Sequence, residues 1–361
     1  VTEREAVEAA LARFAPSTAE KFVQEVIWRT YFKGWLEQHP RAWYDYRAGV
    51  RRERAHLAAT PAAAAAFERA SAGETGIDGF DAWARELRST GYLHNHARMW
   101  FASIWVFTLK LPWELGAEFF LTHLIDGDPA SNTLSWRWVS GLHTRGKTYL
   151  ARADNIAKHT EGRFRPTGQL AGSAAPLEET APPPRTPLRP PPPMALTDAD
   201  YLLLTDDDLH FESLPGARPA SAALVDLSAA RTDVGVAPAV AAFVAAALDD
   251  RATGLTDATG ACPARFVAAD SASLPGLARE LAADIAATGV ERVVTPYAPV
   301  GPGADFLAEL ELALAALPDP ERPHLVRHLR DLDRLAWPHT DRGYFKLKKR
   351  LPELVGVLGI G

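Results

Sequence analysis

Cysteine is almost missing: the 361 residues hold one, Cys262. A lone thiol excludes an internal disulfide framework and any zinc site built on paired cysteines. It suits a reducing compartment, so a cytoplasmic location is expected. Long apolar runs are also missing. The best, residues 100–109, is about half of the roughly 18 residues a membrane span needs and is followed by Lys110, so no membrane partner is expected. The opening Val-Thr-Glu-Arg-Glu-Ala is charged, without the apolar stretch of a signal peptide, and has no initiating methionine. That last absence leaves a fragment as one reading of the chain. A large excess of positive charge is lacking too: 39 Lys and Arg stand against 45 Asp and Glu, a formal −6, which argues against nonspecific nucleic-acid binding.

What is present is divided unevenly. Residues 1–165 hold 22 Lys and Arg against 19 Asp and Glu, and the remainder holds 17 against 26, so only the first half could face a polyanion. Nine of the ten tryptophans precede residue 140. Between residues 168 and 196 the pattern gives way to Gly, Ser, Ala, Thr and Pro, with eight prolines from Pro182 to Pro193. Such a stretch holds neither helix nor central strand and favours an extended spacer. The expected division is therefore a helical domain at 1–167, a Pro-rich linker at 168–196 and an α/β domain at 197–361.

Apolar residues at three-and-four spacing predict helices over 6–14, 18–38, 62–72, 79–89 and 94–109. Asp128-Pro129 predicts a further helix start, with an N-cap acid before a first-turn proline. After the linker, short apolar runs at Tyr201–Thr205, 222–227, 264–269, Arg292–Pro296 and His324–His328 predict buried parallel strands. Helical segments at 237–248, Leu274–Thr288 and 304–316 lie between several of them, and the alternation predicts a doubly wound parallel α/β sheet. No GxGxxG follows its first strand, so a dinucleotide fingerprint is absent. The glycine turn Val300-Gly301-Pro302-Gly303 before a helix could receive an anion or be a plain turn.

Four segments of the helical half carry polar groups on otherwise apolar helices. In the first, Glu25 and Arg29 stand four apart with Trp28 beside them. In the second, Gly91-Tyr92-Leu93-His94-Asn95-His96-Ala97-Arg98-Met99, a helix sets Asn95 on one face with Arg98 and Met99; buried, such a set demands a ligand or a network. The two histidines lack further ligands for a metal and read as structural, and no metal is expected. In the third, Asp126 and Asp128 flank Gly127 before a helix; Asp128 can cap it, and Arg98 is the natural partner for Asp126. In the fourth, Ser135-Trp136-Arg137-Trp138, Trp136 shares a face with Asn132.

Taken together, these motifs resemble the FAD-binding helical domain of the photolyase/cryptochrome family over residues 18–164, with order and spacing kept. The resemblance implies an FAD cofactor, with the antenna chromophore unknown. Arg98 and Asp126 would pair beside the flavin ring, Asp128 would face its polar edge, and Asn132 would stand opposite N5. Arg29, Tyr92 and Asn95 complete the implied cofactor set. Glu25, Asn95 and Met99 would touch a pyrimidine dimer between the walls of Trp28 and Trp138, and Trp136 and Trp113 would carry electrons to the flavin. The function so implied is a blue-light-driven DNA photolyase homologue, a lyase acting on damaged DNA. The alternative is a cryptochrome-like flavin photoreceptor without repair activity.

Three departures accompany the resemblance. The family's Thr/Ser-rich phosphate-holding loop has no counterpart in the 24 residues before Glu25, so either the chain is truncated or the FAD diphosphate is held differently. The outer tryptophan of the electron chain has no clear match near residues 57–64, with Trp105, Trp100 or a tyrosine as substitutes. The α/β pattern follows the helical one instead of preceding it. In the tail, Trp337-Pro338-His339 and the basic run Lys346–Arg350 are loosely antenna-like, and the basic run could touch phosphate or be a solvated helix.

Overall fold

The computed structural model describes residues 2–219, 221–260, 262–318, 322–357 and 359. It is helical through its first part and carries a five-stranded parallel sheet with flanking helices in its second. In chain order the elements are α1 (Glu3–Leu11), α2 (Pro16–Gln38), α3 (Arg41–Ala59), α4 (Pro61–Ala72), α5 (Phe80–Thr90), α6 (Asn95–Ser103), α7 (Trp113–His123), α8 (Pro129–Val139) and α9 (Ala153–His159). There follow β1 (Tyr201–Thr205), β2 (Ser221–Asp226), α10 (Pro238–Thr259), β3 (Ala264–Val267), α11 (Leu274–Thr288), β4 (Arg292–Pro296), α12 (Pro302–Ala315), β5 (His324–His328), α13 (Asp331–Ala336), α14 (Phe345–Lys348) and α15 (Leu351–Val357). Among the described residues no helix is long and apolar enough to cross a membrane.

Two compact units divide the chain. One comprises Arg41–Pro184 with Val236–Val240; the other comprises Val1–Pro40, Arg185–Gly235 and Ala241–Gly361. The compositional division placed residues 1–40 with the helical half, whereas by packing α1 and α2 group with the sheet. The reason lies in α2. Its buried face includes Lys33, Gly34 and Gln38 as well as Ile27, Tyr31 and Leu36, and the polar members reach partners carried by the second half of the chain.

In the helical unit the ends of elements follow local chemistry. Asp128 caps α8 by accepting from Ser131 N at 2.7 Å, with Pro129 in the first turn. Gly91 ends α5 in the left-handed region at φ 69°, where L side chains are disfavoured. The expected single helix over 94–109 is instead α6 followed by one π-helical turn, Ile104–Thr108. The unit's core is aromatic: Trp43, Tyr46, Phe80, Phe101, Trp105 and Trp136 are all essentially buried. The proline-rich segment carries no helix or extended strand, yet part of it is bound. Leu177 N donates to Ser140 O at 3.0 Å, and Arg137 Nη2 meets both oxygens of Glu179 at 2.8 and 2.9 Å.

In the sheet unit the strand order is β3-β2-β1-β4-β5, all parallel. Alternate residues of each strand feed two cores. Tyr201, Leu203, Ala223 and Val225 pack with Leu281 and Ile285 of α11 and Phe306 and Leu310 of α12. Leu202, Leu204, Leu224 and Val294 pack with Val244 and Leu248 of α10. Both faces of β1 are therefore covered, which is why it reads as a continuous apolar run. The order reverses between β1 and β4, the position where ligands of doubly wound sheets bind at the carboxyl ends of the strands.

Candidate functional site

The helical unit gathers most of the candidate residues at the start of α6, the loop after α7 and the start of α8. Arg98 Nε donates to Leu93 O at 2.8 Å, which holds the guanidinium back along its own helix. Its Nη2 meets both oxygens of Asp126 at 3.0 and 3.1 Å. Ile125 N donates to Gly91 O at 3.0 Å, so the loop carrying Asp126 is anchored to the turn preceding Arg98. The pair is not dry: the side chains are 25% and 59% exposed for Arg98 and Asp126. Tyr92 is exposed, with the Arg98 guanidinium 5.8 Å from its ring centre.

Asp128 is committed to capping α8, and one turn on Asn132 is buried. Asn132 Nδ2 donates to Ala117 O of α7 at 2.8 Å. That bond orients the amide: one N–H is held on a carbonyl, which leaves Oδ1 and the second N–H to offer. The expected burial of the α6 trio does not hold. Asn95 is exposed and Arg98 and Met99 are half-buried, because they occupy the first turns of α6 while its buried face is formed by Ala97, Trp100 and Phe101. His94 caps α6 through a 3.3 Å bond from His96 N. Its ring lies 5.3 Å from that of His96, which lies 4.9 Å from that of His159. Among the described residues no group of three or more His, Cys, Asp or Glu is placed to hold a metal ion.

The tryptophans separate by environment. Trp136 is buried against Phe101, Trp105 and Phe120, at ring separations of 6.4, 6.3 and 5.1 Å. Its Nε1 has no hydrogen-bond partner among the described residues. Trp113 lies 5.6 Å from Tyr46, which lies 5.4 Å from Trp43, and Arg137 stands 6.0 Å from its ring. Trp138 is half-buried and stacks on Tyr149 at 5.6 Å. Trp105, Tyr46 and Trp43 are thus aromatic neighbours of the two inner tryptophans. Only Trp105 was singled out from sequence; the other two carry no signal beyond being aromatic on α3, an element the periodicity did not mark.

The remaining three candidates lie on α2 in the sheet unit. Glu25 is exposed, and Trp28 and Arg29 are half-buried. Arg29 Nη1 bonds the Glu3 carboxylate of α1. Trp28 stacks on Tyr344 with ring centres 3.7 Å apart and planes 11° from parallel. Tyr344 OH donates to Gln24 O at 3.0 Å, and Tyr31 OH donates to Arg342 O at 2.9 Å. Burial, and then the Glu25 charge, push the Tyr344 hydroxyl up from its ordinary value. One face of Trp28 is therefore covered by the chain itself. The tail's basic run is matched by acids: Lys346 meets Asp341 at 2.6 Å, Lys348 meets Glu20 at 3.3 Å and Arg350 meets Glu353 at 2.6 Å.

Comparison with known proteins concerns the same stretch. Residues 22–170 match the family described as the FAD binding domain of DNA photolyase. The deoxyribodipyrimidine photo-lyase of Streptomyces griseus is 36% identical over 153 residues, covering 38% of this chain and 31% of that protein. Those of Escherichia coli and Thermus thermophilus are 33% and 36% identical over 137 and 132 residues, covering 36% and 37% of this chain and 27% and 30% of theirs. The chain thus spans less than a third of the length of these relatives.

Proposed function

Residues 22–170 belong to the photolyase/cryptochrome family, and from that premise we propose that the chain binds FAD and acts as a light-driven photolyase homologue on pyrimidine dimers in DNA. The observation that carries the reading is the Arg98–Asp126 double contact, with Asp128 and the oriented Asn132 amide fixed next along the chain at the start of α8. A heteroaromatic ring whose edge alternates N–H and C=O groups is matched by this mixture of cation, carboxylate and amide. The donor set therefore fits the flavin ring.

Arg98, Asp126, Asp128 and Asn132 would hold the ring. When bound and reduced, a flavin supplies on illumination the electron that splits a cyclobutane dimer. The residues' own work is electrostatic and positional. The Arg98 guanidinium favours an electron-rich ring, and Asp126 fixes that guanidinium's orientation at modest energetic gain, because the pair is partly in water. Asn132 presents its Oδ1 and second N–H without rotating, since its first N–H is held on Ala117 O. Trp136, in van der Waals surroundings of Phe101, Trp105 and Phe120, lies on α8 one turn past Asn132 and would pass electrons to the ring. Trp113, Tyr46 and Trp43 form a second aromatic row. Within the helical unit Asn95 and Met99, with Trp138, would meet the flipped lesion, which leaves the duplex at an unstacking cost; for Glu25 and Trp28 on α2 that role rests on the family resemblance alone.

A second reading, a flavin photoreceptor without repair, has one observation in its favour. Trp28 and Trp138 each have a ring face already stacked on a tyrosine, Tyr344 and Tyr149. Illumination of the flavin-loaded, reduced chain with an oligonucleotide containing one thymine dimer separates the two readings. Light-dependent loss of dimer supports photolyase activity. Flavin photochemistry with the dimer intact in light and dark overturns it in favour of the second.

A further inference from the structure

The reversal point of the parallel sheet is where a doubly wound fold keeps its ligand, and in this chain α2 lies across it. On the β1 side, Lys33 Nζ reaches Asp207, two residues past the strand, at 3.3 Å; the side chains are 5% and 30% exposed. On the β4 side, Glu37 occupies the loop between the strand and α12. Its Oε2 accepts from Tyr297 OH at 2.7 Å and its Oε1 from the Val300 backbone N–H at 2.6 Å. Lys33 and Glu37 are one helical turn apart and so share a face of α2. The loop holding Glu37 is the glycine turn in which the sequence left room for an anion. Gly301 precedes α12 at φ 152°, and a Cβ on Gly303 would lie 3.1 Å from Ala298 Cβ.

We infer that Glu37 is the built-in anionic ligand of the sheet's reversal point, and that Lys33 and Glu37 together dock α2 there in place of a free anion. Glu37 is thereby a positioning residue: it fixes the register of the helix that carries Glu25, Trp28 and Arg29. Four hydrogen bonds of Gln38 lock the same end of α2. Gln38 Nε2 donates to Trp337 O at 3.0 Å and Thr340 Oγ1 at 3.1 Å, and Gln38 Oε1 accepts from Arg185 at 2.9 and 3.1 Å. Gly34 admits this approach, since a Cβ there would stand 2.5 Å from Trp337 Cδ1. The significance for Glu25 and Trp28 rests on the function proposed above. The docking itself does not, and its test involves neither flavin nor DNA.

The test is chemical rescue of the full chain, read as the thermal unfolding midpoint. Glu37→Ala empties the space between Tyr297 OH and Val300 N–H and lowers Tm by about 4–8 °C. Sodium formate then restores at least half of that loss, whereas sodium chloride at equal ionic strength does not, and the wild type responds equally to both salts. Glu280→Ala, at an exposed acid of α11, leaves the midpoint unchanged. Should Glu37→Ala not fold, Glu37→Gln carries the test: an NH2 group replaces one of the two oxygens that now face Tyr297 OH and Val300 N–H, so Tm falls by less and formate, with no space to enter, gives no rescue. A Glu37→Ala or Glu37→Gln midpoint within about 1 °C of wild type overturns the inference. So does stabilisation of the wild type by inorganic phosphate beyond the chloride effect, because a site filled by Glu37 has no room for it.

Discussion

At Gly116 the side chain is decided by a neighbour. A Cβ there would lie 2.3 Å from Trp136 Cη2 and 3.0 Å from Trp105 Nε1, so α7 can pass the two indoles only as glycine. Gly116→Ala should therefore cost roughly 1–3 kcal/mol through overpacking, checked by denaturant unfolding of the two proteins. His123 sets the acid limit by a different route. Burial, and then the Arg88 charge, lower its pKa from 6.5 to about 4, and its Nδ1 has no partner among the described residues. With the folded value below the unfolded one, the stabilisation is complete above pH 6.5 and drains away as pH falls toward 4, because the unfolded chain takes up the proton first. Discounted for the solvent that reaches the half-buried ring, the loss should amount to about 2 kcal/mol at the acid end. His123→Leu should flatten stability across that window, as measured by denaturant midpoints at a series of pH values. An unchanged slope would place the acid sensitivity elsewhere.

Among the elements, the proline-rich segment is the instructive case. Composition alone reads it as a spacer, and its backbone indeed forms no regular structure. Side-chain chemistry ties it down nonetheless: Arg137 is 4% exposed and its guanidinium is answered by Glu179, itself 20% exposed. Glu179→Ala should leave that charge buried without its carboxylate and cost about 2–3 kcal/mol, below the fully buried case because Glu179 retains some water. Residues near 171–184 should then become the first sites of limited proteolysis, read by mass spectrometry of early fragments. The strands, by contrast, were legible almost to the residue: β1 and β4 are buried nearly throughout, and even the partly covered edge strands β3 and β5 keep short runs with few other uses. Helix α3 was not, because Arg41, Asp45, Arg47, Arg51, Arg52 and Arg54 interrupt its apolar stripe and only Ala42, Trp43, Tyr46, Arg47, Gly49 and Val50 are buried. The Arg98–Asp126 pair could be named from residue types in neighbouring motifs. The Trp28–Tyr344 stack could not, because 316 residues of sequence separate two ordinary aromatics.

For the molecule as a whole, the division of labour follows packing more closely than composition. The helical unit carries the Arg98, Asp126, Asp128 and Asn132 set, while α2, bearing Glu25 and Trp28, belongs with the sheet that clamps its far end through Glu37 and Gln38. The proposed function depends on the helical unit holding a flavin. Titration of FAD into the purified full chain and into Arg98→Ala, followed by the flavin's visible absorption and fluorescence, addresses that point directly. Wild type should bind FAD stoichiometrically, and Arg98→Ala should bind it about tenfold more weakly while losing no more than about 1 kcal/mol of folding stability, since the Arg98–Asp126 pair is partly solvated. A wild-type chain that leaves the FAD spectrum unchanged, or an Arg98→Ala chain that binds it as tightly as wild type, would contradict the account.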